Sequence, residues 1–121
     1  VDNGIGRWAI IDKKTNDFMG WGGFKLITTL TNNKSDYYDL GYRLIQSYWG
    51  KGYATECSLA CIDYGFNNLL LNEIYAMADV ENTASVHVLE KSGLKKIEKF
   101  IYEAKSHYWF KLTKMEWPNK Y

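Results

Sequence analysis

WGKGYATE, residues Trp49 to Glu56, sets two glycines on either side of a lysine just ahead of a stretch with helical periodicity. The first backbone N–H groups of such a helix have no intrahelical acceptor and the macrodipole is positive there, so an anion can sit on them. Gly50 and Gly52 let the backbone approach a ligand and take torsions that a side chain would forbid, while Lys51 adds a positive charge and Thr55 a hydroxyl. A pyrophosphate fits these parts. A tight strand-to-helix turn that merely needs glycine is the competing reading of the same residues.

Working outward, Tyr38, Leu40, Tyr42 and Leu44 alternate with Asp39, Gly41, Arg43 and Ile45, which predicts a strand leading into the loop. Before it, Arg7 to Asp12 and Phe18 to Ile27 are apolar, aromatic runs around the polar KKTND, the signal of an antiparallel hairpin with a five-residue connection. From Tyr53 the period lengthens: Cys57, Ala60, Cys61 and Tyr64 fall on one face, Glu56, Asp63 and Asn67 on another, predicting an amphipathic helix. A fourth strand, Ile74 to Val80, follows with small inward side chains, and strand–helix–strand implies a right-handed parallel crossover. In ENTASVHVLEKSGL, Asn82 is a good N-cap, Val86 and Leu89 share a helical face and Gly93 stands at the left-handed exit. Lys95 to Ile101 and Ser106 to Thr113 predict a closing hairpin with YEAK at its turn. The fold class is therefore α/β, a mixed sheet flanked by helices.

Composition bounds the partners. A chain of 121 residues, 46% hydrophobic and 24% charged, matches one globular domain, and a single proline, Pro118, leaves no proline-rich linker to divide it. Fifteen basic against fourteen acidic side chains give a formal charge of +1, without the basic excess of nucleic-acid binders, so no nucleic acid is expected as a partner. No apolar run approaches the ~20 residues that span a bilayer and nothing reads as a secretory signal, so the expectation is a cytoplasmic protein with no membrane partner. Cys57 and Cys61, four apart on a helix, are not a disulfide framework; without a CxxC pair or HExxH they read as small buried thiols, and no metal is expected.

Two other phosphate-binding readings fail on spacing. A P-loop needs GxxxxGK followed by Ser or Thr, and IQSYWGKGY has no glycine five before Gly50 and a tyrosine after Gly52. GIGRWA, with Gly4, Gly6 and Ala9, matches the letters of a dinucleotide fingerprint, yet no strand can precede it and it opens a predicted strand rather than a helix.

LGYRLIQSYWGKGYATE, then ENTASVHVLEKSGL about thirty residues on, resembles the GNAT superfamily of acyl-CoA-dependent N-acetyltransferases, and most closely its RimJ/RimL-type branch. The family loop is Q/R-x-x-G-x-G/A; here Trp49 takes the Gln/Arg place, Gly52 the glycine and Ala54 the final small residue. The resemblance runs from about Arg7 through the final hairpin. It implies acetyl-CoA as donor, with its pyrophosphate on the amides of Gly50, Lys51, Gly52, Tyr53, Ala54 and Thr55. The pantetheine arm would pair like an extra strand with the backbone of Tyr42, Arg43 and Leu44, at an edge opened by splaying the two parallel strands, and Asn82 would contact that arm. Glu56 also matches a family position, and one turn into the helix it supports the loop.

The implied chemistry is direct transfer to a primary amine, of a protein N-terminus or a small molecule, with the Leu44 N–H stabilising the oxyanion as the coenzyme thiolate leaves. Many family members offer a tyrosine seven residues after the asparagine as proton donor; here that position is Leu89, and Ser85, three after Asn82, is the substitute. Asp79, Asp39 and Glu103 are candidates for the general base. Tyr102, Tyr108 and Trp109 are candidates for the lining of an acceptor cleft, with packing, as members of a terminal hairpin, the competing and favoured reading. Relatives carry a first strand and one or two helices ahead of the segment matching Arg7 to Asp12, whereas only six residues precede it here. The chain is thus expected to be N-terminally truncated, completed by a partner chain as in a homo-oligomer, or open on the acceptor side. The alternative function is a non-catalytic acyl-CoA-binding or interaction module of the same fold.

Overall fold

The protein is described here by a computed structural model covering residues 6–117. Its elements are β1 (Gly6–Ile11), β2 (Phe18–Ile27), β3 (Tyr37–Leu44), α1 (Tyr53–Asn67), β4 (Glu73–Asp79), α2 (Thr83–Lys91), β5 (Lys95–Tyr102) and β6 (Lys105–Thr113), with a 3₁₀ turn at Gln46–Tyr48. The strands form one sheet in the order β1-β2-β3-β4-β6-β5, antiparallel except between β3 and β4. The GIGRWA segment lies partly outside the described residues, and its remainder opens β1.

Local chemistry explains the hairpins. Between β1 and β2, Asp12 leaves the strand to anchor the turn: its carbonyl accepts from Asn16 N at 2.7 Å and its carboxylate from Lys14 N at 2.8 Å, so the connection spans 12–17 rather than the five residues predicted. Asn16 takes the left-handed conformation there, φ 64°, which asparagine tolerates better than most residues. The β5–β6 loop is Glu103–Ala104, both left-handed at φ 49° and 67°, the mirror-image geometry that matches strand twist.

Both helices cover one face of the sheet. Phe24, Ile62, Phe66, Ile74 and Phe110 are fully buried there together with Leu40, Val86 and Leu89, and each large side chain removed from water contributes roughly 1.5–3 kcal/mol. The buried stripe of α1 is Ser58, Ile62, Gly65 and Phe66, not the predicted face of Cys57, Ala60, Cys61 and Tyr64. The two longest apolar side chains set the helix rotation, and Gly65 admits the Phe24 ring, which a Cβ would meet at 2.8 Å. Ala60 is exposed and both thiols are only half-buried. Glu56 and Asn67 do face solvent, and Asn67 donates to Asp63 at 2.6 Å.

On the opposite sheet face Tyr37, Tyr75 and Trp109 interlock, their ring centroids 5.2 to 5.5 Å apart, with Ile27, Met77 and Phe100 against them. This clasp sits where β3 and β4 begin. The β2–β3 register runs without a break from Ile27↔Tyr37 to Gly20↔Leu44, and β4–β6 from Glu73↔Thr113 to Asp79↔His107. Between β3 and β4, by contrast, the one register pair among the described residues is Asp39↔Tyr75. Beyond it the parallel strands part, as the resemblance implied.

Candidate active site

The gap between the parted strands has a backbone wall. In an antiparallel ladder the residues that turn N–H and C=O toward one neighbour alternate with those that turn them away. Ile45 N donates to Met19 O at 2.8 Å, which fixes the phase: Arg43 bonds toward β2, while Tyr42 and Leu44 turn their backbone groups toward the gap. The Arg43 carbonyl indeed lies where a Cβ on Gly20 would collide with it. Of the three backbone positions expected to pair with the pantetheine arm, Arg43 turns its groups to the β2 ladder, and Tyr42 and Leu44 turn theirs to the gap.

Above this wall sits the glycine loop. Gly50 and Gly52 have φ of 73° and 82°, and a Cβ on either would meet nothing within 4 Å, so the space over them is open. Their requirement is for a left-handed backbone, which costs other L-residues about 1–2 kcal/mol. Gly52 is the N-cap of α1 and offers no side-chain acceptor; its carbonyl takes Glu56 N at 3.1 Å, leaving the amides of Tyr53, Ala54 and Thr55 at the helix mouth. The rings of Tyr48 and Tyr53 meet edge-on at 5.9 Å across the loop. The Lys51 and Trp49 side chains are exposed, and the Trp49 indole donates to the Leu44 carbonyl at 2.9 Å. That bond fastens the loop to the strand end and leaves the Leu44 N–H as the group facing the gap. These features fit a pyrophosphate followed by an extended, amide-bearing arm.

The other wall is α2. Asn82 caps it, its Oδ1 accepting Ser85 N at 3.1 Å, so the predicted cap is present and is made by the side-chain oxygen. The Ser85 hydroxyl lies 3.4 Å from the Tyr42 phenol, joining α2 to β3 across the gap. Burial pushes the Tyr42 phenol up, against a smaller downward pull from the Ser85 hydrogen bond, so it stays protonated at neutral pH. Leu89 is in the core, only 2% exposed, and cannot supply an acid.

The Tyr42 side chain was not among the expected site groups, although its alternation put it on one strand face with Leu40, the face that the structure packs against the helices. What the sequence lacked was the reach of α2 to meet it. Among the candidate bases, Asp39 and Asp79 stand at the two ends of the gap, Asp79 with one carboxylate oxygen taken by Glu81 N at 2.9 Å. Glu103 lies in the β5–β6 turn. Tyr102 and Tyr108 pack on His107 and Phe110, and Trp109 is in the clasp, as packing residues should be. The Cys57 thiol is held protonated by its hydrogen bond with Cys61 and then by burial; among the described residues no His, Cys, Asp or Glu cluster is able to hold a metal ion. No helix among them is long and apolar enough to cross a membrane.

The chain is 36% identical over 112 residues to YkkB of Bacillus subtilis, covering 86% of this chain and 63% of that protein. It is 38% identical over 90 residues to the uncharacterized N-acetyltransferase p20 of Bacillus licheniformis, covering 74% of this chain and 48% of the relative. The chain thus spans about half to just under two thirds of the length of these relatives. Among solved structures, a variant of the spermidine N-acetyltransferase SpeG from Vibrio cholerae superposes with a TM-score of 0.80 at 21% identity, over 98% of this chain and 70% of that one, which shows a shared fold. The family model of the acetyltransferase (GNAT) domain matches residues 1–95. With that match laid over the parted strands, the glycine loop and the capped second helix, the chain belongs to the GNAT acetyltransferase family.

Proposed function

We propose that this chain carries the acyl-CoA half of an N-acetyltransferase of the RimJ/RimL-type branch, moving an acetyl group from acetyl-CoA to a primary amine. The observation that carries the reading is the gap between β3 and β4, where Tyr42 and Leu44 turn backbone groups toward the space beneath the glycine loop. The Trp-Gly-Lys-Gly-Tyr-Ala wording of residues 49–54 supports the branch.

Each residue has a task in that reaction. The amides from Gly50 to Thr55 hold the pyrophosphate with Lys51 beside it, and Tyr42, Leu44 and Asn82 hold the arm. The Leu44 N–H, on the residue whose carbonyl Trp49 holds at 2.9 Å, would donate to the carbonyl oxygen of a bound thioester and stabilise the charge that grows there when the neutral amine attacks. Ser85 delivers a proton to the leaving thiolate. Asp39 or Asp79 takes the proton that the attacking nitrogen loses. Position 89 contributes no acid, so the chemistry rests on the gap itself.

Protein mixed with labelled acetyl-CoA and a panel of peptide N-termini, polyamines and aminoglycosides tests this directly. Transfer to any of these amines, together with a rise in melting temperature on adding coenzyme A, is the expected result, and the panel decides between a protein N-terminus and a small molecule. A raised melting temperature with transfer to none of them favours the non-catalytic acyl-CoA-binding module. Stronger protection by ATP or NAD than by coenzyme A would overturn both.

A further inference from the structure

The hydroxyl of Ser85 is a weak acid by itself, and the structure puts a stronger one directly behind it. We propose, on the acetyltransferase reading above, that Tyr42 and Ser85 form a two-hydroxyl relay to the departing thiolate, with Ser85 facing the sulfur and Tyr42 positioned as the proton reservoir. Three observations on different elements converge. The phenol of β3 and the hydroxyl of α2 are 3.4 Å apart across the gap that receives the arm. Ser85 is held there through its own backbone, since Ser85 N is tied to Asn82 Oδ1 at 3.1 Å, so its side chain is spared from capping. Leu89, where a phenol could otherwise stand, is sealed in the core.

The proton count closes. As the carbon–sulfur bond breaks, the Ser85 O–H breaks and the S–H bond forms; the Tyr42 O–H breaks as the Ser85 O–H re-forms; the phenolate then takes a proton from solvent. A phenol, ordinarily titrating at about 10, is a far stronger acid than an aliphatic hydroxyl, so even raised by burial Tyr42 is the better source of the proton that Ser85 passes on. Burial holds the phenol protonated, and the groups facing it are Ser85 on α2 and the protonated Cys57 thiol on α1.

Tyr42→Phe and Ser85→Ala keep the packing and the cap and remove one hydroxyl each. Each should lower kcat by on the order of 10²-fold while KM for acetyl-CoA and the melting shift with coenzyme A stay near those of the unaltered protein. The double variant should be no worse than the poorer single, as for two links of one chain. In protein carrying ring-labelled tyrosine, the Tyr42 carbon resonance should titrate at higher pH in Ser85→Ala, because a hydrogen bond that favours the phenolate has gone. Full kcat in Tyr42→Phe, losses that multiply in the double variant, or an unmoved Tyr42 titration would each overturn the relay. Coenzyme A that leaves the melting temperature of the unaltered protein unchanged would bring down the acetyltransferase reading, and the relay with it.

Discussion

Where β3 and β4 begin, Tyr37, Tyr75 and Trp109 close the parallel pair with rings that are 2 to 5% exposed, whereas beyond Asp39↔Tyr75 the same strands stand apart, with backbone groups that have no ladder partner among the described residues. Unpaired backbone is ordinarily costly when removed from water. Here the two ends divide the work. The aromatic clasp, with the uninterrupted β2–β3 and β4–β6 ladders outside it, supplies rigidity, and that rigidity lets the other end keep an unpaired edge ready for a ligand. On the proposed function, binding capacity and stability would therefore be separable along one pair of strands.

The sharpest way to break this division is at the loop. Gly52→Glu places a negative charge where the pyrophosphate should lie and forces a side chain into a left-handed backbone at about 1–2 kcal/mol. Calorimetry should show acetyl-CoA affinity reduced by more than about 100-fold, roughly 2.7 kcal/mol or more, in a protein that still folds. Unchanged affinity would remove the loop from the site.

At the clasp the same comparison runs in reverse. Trp109→Ala should destabilise the protein by about 3–5 kcal/mol in denaturant unfolding, with coenzyme A affinity of the folded fraction nearly unchanged. A variant that unfolds normally but no longer binds would show that the two ends are one unit.

Asn82 lies on the boundary and separates the two roles within one residue. Asn82→Ala removes the cap oxygen and should cost about 1 kcal/mol together with some cofactor affinity; Asn82→Asp restores the cap oxygen and hence the stability, but not the amide nitrogen that would meet the arm. Equal affinity in the aspartate variant and the native protein would leave Asn82 with capping alone.

The smallest effect is in pH. Burial raises the phenols of both Tyr37 and Tyr42 above their ordinary value of about 10. The unfolded chain releases these protons first, so their contribution to stability is whole below about pH 10 and is lost as pH climbs through the folded-state values. Melting temperatures followed across that range should fall, and Tyr37→Phe should flatten part of the fall; an identical profile would mean that the Tyr37 phenol titrates alike in the folded and the unfolded chain.

Much of this architecture is legible in the letters because it rests on local patterns. Period two in Tyr38 to Leu44, the glycines at 50 and 52, the cap at Asn82 and the turn at Glu103–Ala104 all depend on neighbours within a few residues, and all have the expected counterparts in the structure. The misreadings arise where distant packing decides. The rotation of α1 follows Phe66 and Ile62 meeting Phe24 and Ile74 from other elements, which a helical wheel of Cys57, Ala60, Cys61 and Tyr64 cannot register. Arg43 was grouped with Tyr42 and Leu44 because a sequence does not show which way a carbonyl points; the Ile45–Met19 bond does. The contact between Tyr42 and Ser85 joins positions far apart in the chain and needed the fold to bring them together.

Amide hydrogen exchange, resolved residue by residue with and without saturating coenzyme A, tests the central claim most directly. The parted strands predict that the Tyr42 and Leu44 amides exchange readily in the free protein and become protected when the arm pairs with them, while the Arg43 amide, already bonded toward β2, changes little. Equal exchange at Tyr42 and Leu44 in both states, under conditions where coenzyme A is bound, would contradict the account.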